Sequence, residues 1–401
     1  MQNDTNTLGH TQWFYFKVSN TRAGLPVKFN ILNYNKPDSM FNYGMKVSVY
    51  SDRKAEDGRA GWHRGCTDIG YFKNQVRKDF NFTKYYHTLT FTYEFEYDND
   101  TVFFAYCYPY TYTDLSNDIL ALERDKRRAG FIQRSTLCKT LGGVNCEVLT
   151  ITEQAQKKPN QASTKGLPPA AGYPSNVQKP GVVISARVHP GETVGSWMMR
   201  GVLFFLTDPD NKEAEVLRKS FIFKIIPMLN PDGVVNGNYR CSLAGCDLNR
   251  RWKFPSKQLQ PTVYHTKRLL KKVHAERTCV LYCDLHGHSR KPNVFMYGCD
   301  RKGAPEETRI FPLLLSKISP LFDFHASRFG VQKSKEATAR VAIFKELKTC
   351  PLVYTMESTF SGLDKGPHAG SHINTTMLES MGTDLCRALL IQFNLHVPEE
   401  L

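Results

Sequence analysis

Near residue 125 the hydrophobic pattern of the chain changes period, and that change limits the folds available to it. Before it lie short apolar runs separated by turns: "QWFYFKV", "VKFNILNY", "MKVSVYS", "HTLTFTYEFEYD" and "TVFFAYCYPY". In the fourth, Leu89, Phe91, Tyr93, Phe95 and Tyr97 alternate with Thr88, Thr90, Thr92, Glu94 and Glu96, the period of an antiparallel strand with one buried face. Several such strands, with turns every ten residues or so, predict an all-β sandwich over residues 1–125. No catalytic constellation falls within it.

After "YPYTYTDLSNDI" the runs become continuously apolar: "CEVLTIT", "GVVISARV", "FIFKIIPML", "CVLYCDL" and "PLVYTME". Amphipathic stretches at about 193–207, 262–276, 307–318 and 377–395 lie between or after them. Apolar strands alternating with helices predict an α/β domain over residues 126–401, built on a mixed, largely parallel sheet flanked by helices. The Pro-, Ala-, Gln- and Lys-rich segment at about 154–180 has too little apolar surface to order itself and is expected to be a flexible surface loop. A chain of 401 residues is long enough for two such domains, each with its own core.

Composition narrows the class further. No segment approaches 18 uninterrupted apolar residues, so membrane insertion is not expected. The eleven cysteines show no CxxC pairs, and the first residues lack a basic region followed by an apolar one, so reduced thiols and a cytoplasmic location are expected. A net charge of +15 attracts polyanions, whether nucleic acid, acidic lipid or an acidic protein segment, and does not by itself choose among them.

Ligands of open α/β sheets gather at the carboxyl ends of strands, so the polar residues that follow each run matter most. "GVVISARV" leads to His189 and Glu192; "FIFKIIPML" leads to "NPDG" and "NYRCSLAGCDLNRRW"; "CVLYCDL" leads to "HGHS" with His286 and His288; "PLVYTM" ends at Glu357. The His-x-x-Glu spacing alone carries little weight, because it recurs as "HVPE" at 396–399 without such company. Two histidines and a carboxylate from separate strand ends would form a three-ligand site with an open fourth position, the arrangement of a catalytic zinc. Glu357 would serve as general base beside it.

"HPGE", "NPDG", "NYRCSLAGCDLNRRW", "DLHGHS" and "YTMESTFSG", in this order, resemble the cytosolic carboxypeptidases, a branch of the M14 zinc metallocarboxypeptidases. The resemblance extends to a β-sandwich ahead of the catalytic domain, marked by "QWFYFKV" and "CYPYTYTDL". It implies one zinc per chain, held by His189, Glu192 and His286, with His286 rather than His288 because the ligand directly follows the strand. It also implies that Glu357 is the general base, that Arg240 polarises the scissile carbonyl, and that Asn249 and Arg250 grip the substrate's terminal carboxylate. Arg251 has no assigned part and is expected to be a surface cation. The secreted carboxypeptidases carry a mobile-loop tyrosine shortly before the base; here the corresponding stretch, "QKSKEATARVAIFKEL", is cationic instead. That departure fits a pocket selecting an acidic side chain, with Arg340 the first choice for the selecting charge and Lys333 or Lys335 the next.

The function implied is removal of C-terminal or branch glutamates from acidic protein tails, those of polyglutamylated tubulin by analogy. The expected molecule is a monomer at microtubules or cilia, whose partner is an acidic tail rather than nucleic acid. Two other readings are a carboxypeptidase selecting aspartate or a neutral residue, and a catalytically silent binding protein on the same fold.

Overall fold

The computed structural model of the chain describes residues 1–58, 60–78, 84–153 and 178–397. Among these, seven N-terminal strands are β1 (Tyr15–Ser19), β2 (Pro26–Tyr34), β3 (Val47–Ser51), β4 (His63–Gly65), β5 (Thr67–Arg77), β6 (Tyr85–Glu94) and β7 (Thr101–Ala105). They form two antiparallel sheets, ordered β1-β7-β3-β4 and β2-β6-β5. The alternation in β6 turns Leu89, Phe91 and Tyr93 inward, and Phe95 just beyond the strand is buried with them. Phe16 and Phe104 of one sheet meet Phe29 and Phe91 of the other, with ring centroids 5.0–5.9 Å apart. Such aromatic pairs add about 0.5–1.5 kcal/mol each beyond their area burial. Thr88 departs from the alternation: it is buried too, and its hydroxyl accepts from Asn74 Nδ2 at 2.9 Å.

The remaining strands are β8 (Ile132–Lys139), β9 (Asn145–Ile151), β10 (Gly181–Ala186), β11 (Ile222–Ile226), β12 (Cys279–His288), β13 (Val294–Tyr297) and β14 (Leu352–Thr359), in one sheet ordered β13-β14-β12-β10-β11-β9-β8. The four central strands, β14-β12-β10-β11, are mutually parallel; β13 and β9 run antiparallel to them, and β8 pairs antiparallel with β9. Every residue of β10 is buried, as a strand covered by helices on both faces requires. Helices Val194–Leu206, Glu307–Ile318 and Thr375–Gln392 share one apolar cluster with the sandwich, while Pro261–Arg277 and Ala339–Glu346 cover the other face. All eleven cysteines are free thiols. No helix among the described residues is long and apolar enough to cross a membrane.

Helices Val194–Leu206 and Thr375–Gln392 pack backbone to backbone at two glycines. A Cβ at Gly201 would lie 1.9 Å from Glu379 O, and one at Gly382 would lie 1.9 Å from Met198 O. No side chain fits at either position, so the two helices lie against each other at backbone distance.

The four helices expected from the sequence form within two or three residues of the expected ends. Residues 154–177 of the expected flexible loop lie outside the described residues, as does Glu399 of "HVPE"; His396 is exposed.

Candidate metal centre and active site

Strand β10 pairs with β11 on one side and β12 on the other. Its carboxyl end is thus where the sheet order reverses and opens a crevice. The chain leaves β10 through Arg187, held at φ 62° in the left-handed region that disfavours a side chain. Three acceptors fix its buried guanidinium: Pro190 O at 2.8 Å, Tyr110 O at 2.9 Å and Ser196 Oγ at 2.7 Å. From "NPDG", Asn230 donates to Val188 O at 3.3 Å and accepts from Gly233 N at 3.1 Å. The loop from Val188 to Glu192 is therefore braced on both sides. Gly195 brings the next helix against β12, since a Cβ there would lie 2.8 Å from Leu285 O. That approach places Glu192 beside His286.

His189, Glu192 and His286 are buried, and their ligand atoms lie within 4.8 Å of one another. His189 Nδ1 is 2.7 Å from Glu192 Oε1, and His286 Nδ1 is 2.9 Å from Oε2, which also accepts from Gly287 N at 3.0 Å. Burial opposes the charge on Glu192, yet the two imidazoles hold its carboxyl well below the usual range. The far nitrogens are tied as well: His189 Nε2 to Asp247 Oδ1 at 3.0 Å, and His286 Nε2 to Asp284 Oδ2 at 2.8 Å. Carboxylates on the outer nitrogens orient both rings so that Nδ1 faces the shared centre and raise its basicity, the support that metal-binding histidines characteristically have. Two imidazole nitrogens and one carboxylate fit zinc with an open position.

Asp247 is the hub of the adjoining loop. It accepts from Arg240 through Nε at 2.8 Å and a terminal nitrogen at 2.7 Å, and from Asn249 N at 2.8 Å. Burial works against its ionisation, but His189, Arg240 and Arg250 hold it far below the usual range. Asn249 Oδ1 accepts from Ala339 N at 2.9 Å, which orients its amide NH2 away from that helix. Arg250 donates to Asn249 O at 3.0 Å. The loop is also clamped from the N-terminal segment, because the buried carboxylate of Asp4 accepts from the amides of Tyr239, Arg240 and Cys241 at 2.6–2.7 Å.

Glu357 is the register partner of His286 across β12 and β14, so the two side chains share a face. Burial pushes its carboxyl up to about 7, against the pull of His286, His189 and Arg240. No donor among the described residues hydrogen-bonds it.

Arg340 is buried and bonded to neutral acceptors, Gly298 O and Cys299 Sγ at 3.3 Å, with Tyr297 5.8 Å away. Among the described residues it pairs with no carboxylate. The Tyr297 phenol lies in the field of both Glu357 and Arg340, which links the two across β13. Lys335 is half-buried, and burial with Arg250 and Arg240 lowers its ammonium while Glu357 and Asp247 raise it. Lys333 and Arg251 are exposed. His288 stands apart from the donor cluster, its Nδ1 accepting from Arg290 N at 3.3 Å and Lys291 N at 3.1 Å.

Several residues here carry no signal in the sequence reading: Asp247 and Asp284, read only as motif letters, Asp4, Tyr297, and Lys36 of the sandwich. Lys36 Nζ donates to Ser289 Oγ at 2.7 Å and approaches Tyr239 OH at 3.4 Å. Burial beside Arg240 and Arg290 pushes its ammonium down to about 8.

Comparison with known proteins agrees with this geometry. Residues 123–321 match the Zinc carboxypeptidase family. Cytosolic carboxypeptidase 2 of Xenopus tropicalis is 45% identical over 394 residues, 97% of this chain and 39% of that protein. Cytosolic carboxypeptidase 4 of Mus musculus is 44% identical over 410 residues, 97% of this chain and 36% of that protein. The chain thus spans under half the length of these curated relatives. A metallo-carboxypeptidase from Burkholderia cenocepacia shares the fold with a TM-score of 0.75 and 22% identity, over 98% of this chain and 92% of that one. The chain belongs to the zinc carboxypeptidases, among the cytosolic carboxypeptidases.

Proposed function

We propose that this protein is a zinc-dependent metallocarboxypeptidase that removes C-terminal or branch glutamates from acidic protein tails, those of polyglutamylated tubulin in the first place. The reading places it in the cytoplasm, as a monomer at microtubules or cilia. The observation that carries it is the convergence of His189, Glu192 and His286 within 4.8 Å, with Glu357 on the same face.

A bound zinc would supply a Lewis acid for the scissile carbonyl and acidify a water at neutral pH. Glu357 takes the proton of the attacking water on a carboxylate oxygen and delivers it to the departing amine. With its carboxyl at about 7, it can do both near neutrality. Arg240, held by Asp247, presents its remaining N–H groups to the carbonyl oxygen. Arg250 and the free amide NH2 of Asn249 bind the terminal carboxylate, a planar anion that a guanidinium matches in two hydrogen bonds.

Selection for glutamate rests on Arg340. A substrate carboxylate entering the pocket loses its hydration, a cost offset only by a fixed cation. Arg340 is buried and, among the described residues, pairs with no carboxylate. The test is hydrolysis of peptides ending in Glu, Asp, Lys or Phe, with and without a chelator, by the parent and by Arg340→Ala. Chelator-sensitive release of Glu is expected, with Arg340→Ala losing about 2–5 kcal/mol of transition-state stabilisation on Glu and far less on Phe. Preferred release of Asp or Phe by the parent overturns the glutamate reading, and absence of any release overturns the enzyme.

A further inference from the structure

We propose that Asp4, His10 and Cys241 form a second metal site, which takes a divalent cation of the zinc type and ties the N-terminal segment to the loop that carries Arg240. It shares no ligand with the centre at His189, Glu192 and His286 and stands apart from the carboxypeptidase reading.

The chain ahead of β1 folds back on itself. Asp4 N donates to Gly9 O at 3.1 Å and Thr7 N donates to Asp4 O at 3.0 Å, which closes a turn and returns His10 to the side of Asp4. His10 sits at φ 64°, in the left-handed region that disfavours a side chain. The turn is locked onto the catalytic half. Thr5 donates to Asn238 Oδ1 through N at 3.1 Å and through Oγ1 at 3.0 Å, and Asn6 Nδ2 donates to Leu243 O at 2.7 Å. The two segments approach so closely that a Cβ at Gly245 would lie 2.4 Å from Asn6 O. Asp4 and His10 are therefore held beside Cys241 by the fold itself, and binding an ion there does not have to order the segments first.

One ligand atom from each of the three residues lies within 4.8 Å of the other two, the same bound that holds for His189, Glu192 and His286. Their spare bonding capacity fits that convergence. The Asp4 carboxylate offers about four lone-pair positions; Oδ2 accepts from the amides of Arg240 and Cys241, and Oδ1 accepts only from Tyr239, so Oδ1 has one to give. Cys241 is 1% exposed, and among the described residues neither its thiol nor the His10 ring makes a hydrogen bond. A buried sulfur, an imidazole and a carboxylate oxygen are a donor set that suits zinc. Burial pushes the thiol up to about 12, so without a metal it keeps its proton. On binding, the S–H bond breaks, the sulfur–metal bond forms, and the proton passes to solvent. Asp4 and Cys241 are buried while His10 is exposed, so the ion enters from the solvent side, where water completes its coordination. Cys241 directly follows Arg240, and Asp4 holds the Arg240 amide, so an ion at this point fixes the backbone that presents the arginine.

The experiment loads the metal-free full chain with Co2+ and records the metal content and the near-ultraviolet spectrum for the parent, Cys241→Ser and His10→Asn. The centre at His189 has no sulfur ligand, so a thiolate-to-cobalt charge-transfer band reports the second site alone. The parent is expected to bind about two ions per chain and to show the band, which Zn2+ should abolish by displacement. Cys241→Ser should bind about one ion and lose the band. His10→Asn keeps a residue that tolerates the left-handed conformation and should need at least about tenfold more cobalt to reach the same band. Because His10 is exposed, this second variant decides the matter if Cys241→Ser does not fold. A parent that binds one ion without the band overturns the proposal. So does a band retained in Cys241→Ser, or reached at the parent's cobalt concentration in His10→Asn.

Discussion

Replacing Asp247 by Asn tests whether one carboxylate holds the candidate metal centre and the substrate-binding loop together. The substitution keeps shape and volume. Asp247 Oδ1 serves His189 Nε2 and Asn249 N, and Oδ2 serves two nitrogens of Arg240. An asparagine has one oxygen and one NH2, so whichever way it turns, its NH2 faces two donors. At least two charge-assisted hydrogen bonds are lost, at about 1.5–3 kcal/mol each in isolation. Partial relaxation of Arg240 toward water leaves a net loss of about 3 kcal/mol. With about 2.1 cal/mol/K of unfolding entropy per residue, 401 residues give about 0.8 kcal/mol/K, so Tm should fall by about 4 °C. The loss of an orienting carboxylate should also weaken zinc by about 10- to 100-fold, or about 1.4–2.7 kcal/mol. Competition with a chromophoric chelator measures the zinc affinity, and calorimetry the Tm, neither depending on turnover. Zinc affinity within about twofold of the parent, with Tm unmoved, would refute the reasoning.

Three further outcomes are expected. His286→Ala should lose zinc and activity together while His288→Ala retains zinc, because only the former has a ring nitrogen facing Glu192; metal analysis showing the reverse pattern would sink the ligand assignment. Glu357→Gln removes the proton acceptor but keeps the shape, so turnover should fall at least ~10²-fold with zinc content unchanged, and near-normal turnover in a zinc-loaded sample would exclude it as the base. Gly382→Ala forces a methyl within 1.9 Å of Met198 O, and separating the helices should cost about 3 kcal/mol, read as a Tm lower by about 4 °C; an unchanged Tm would mean the helix pair is not held at that distance.

The sheet was readable because its central strands are buried on both faces, which leaves mostly apolar residues in "GVVISA" and "CVLYCDL", with Ser185 and Asp284 the polar exceptions. Strands with an exposed face were harder. β5, "TDIGYFKNQVR", pairs on one edge only and keeps mostly exposed side chains, so its sequence carries little periodic signal. β8, "IQRSTLCK", sits at the other sheet's edge and reads as polar for the same reason. The helix Ala339–Glu346 hides Arg340 among apolar residues, and its apolar residues show no strong helical face. In the sandwich, alternation gave the inner face of β6 correctly, yet Thr88 is buried because a hydrogen bond from Asn74 satisfies its hydroxyl. Patterning registers polarity and cannot register a partner fourteen positions away.

The same limit explains the site. His189 and Glu192 follow β10, whereas His286 and Glu357 lie within the last paired residues of β12 and β14, so His286 is a strand residue and does not follow the strand as expected. Parallel register brings these strand ends together. Asp4, Lys36 and Arg187 act through contacts with no local signature. Asp4 reaches amides 235–237 positions along the chain, and Lys36 reaches Ser289 at a separation of 253. Arg187 looks like a strand residue but turns the chain through a left-handed conformation that three carbonyl and hydroxyl acceptors make tolerable. One of those acceptors, Tyr110 O, lies in the segment leading out of the sandwich. Among its contacts with the catalytic half, the β-half reaches the site through Asp4 on the loop of Arg240, through Tyr110 on the turn before His189, and through Lys36 beside Tyr239. A spacer would need none of these. These contacts bring the N-terminal half against Arg240, Tyr239 and the turn before His189, although its own residues carry no catalytic motif.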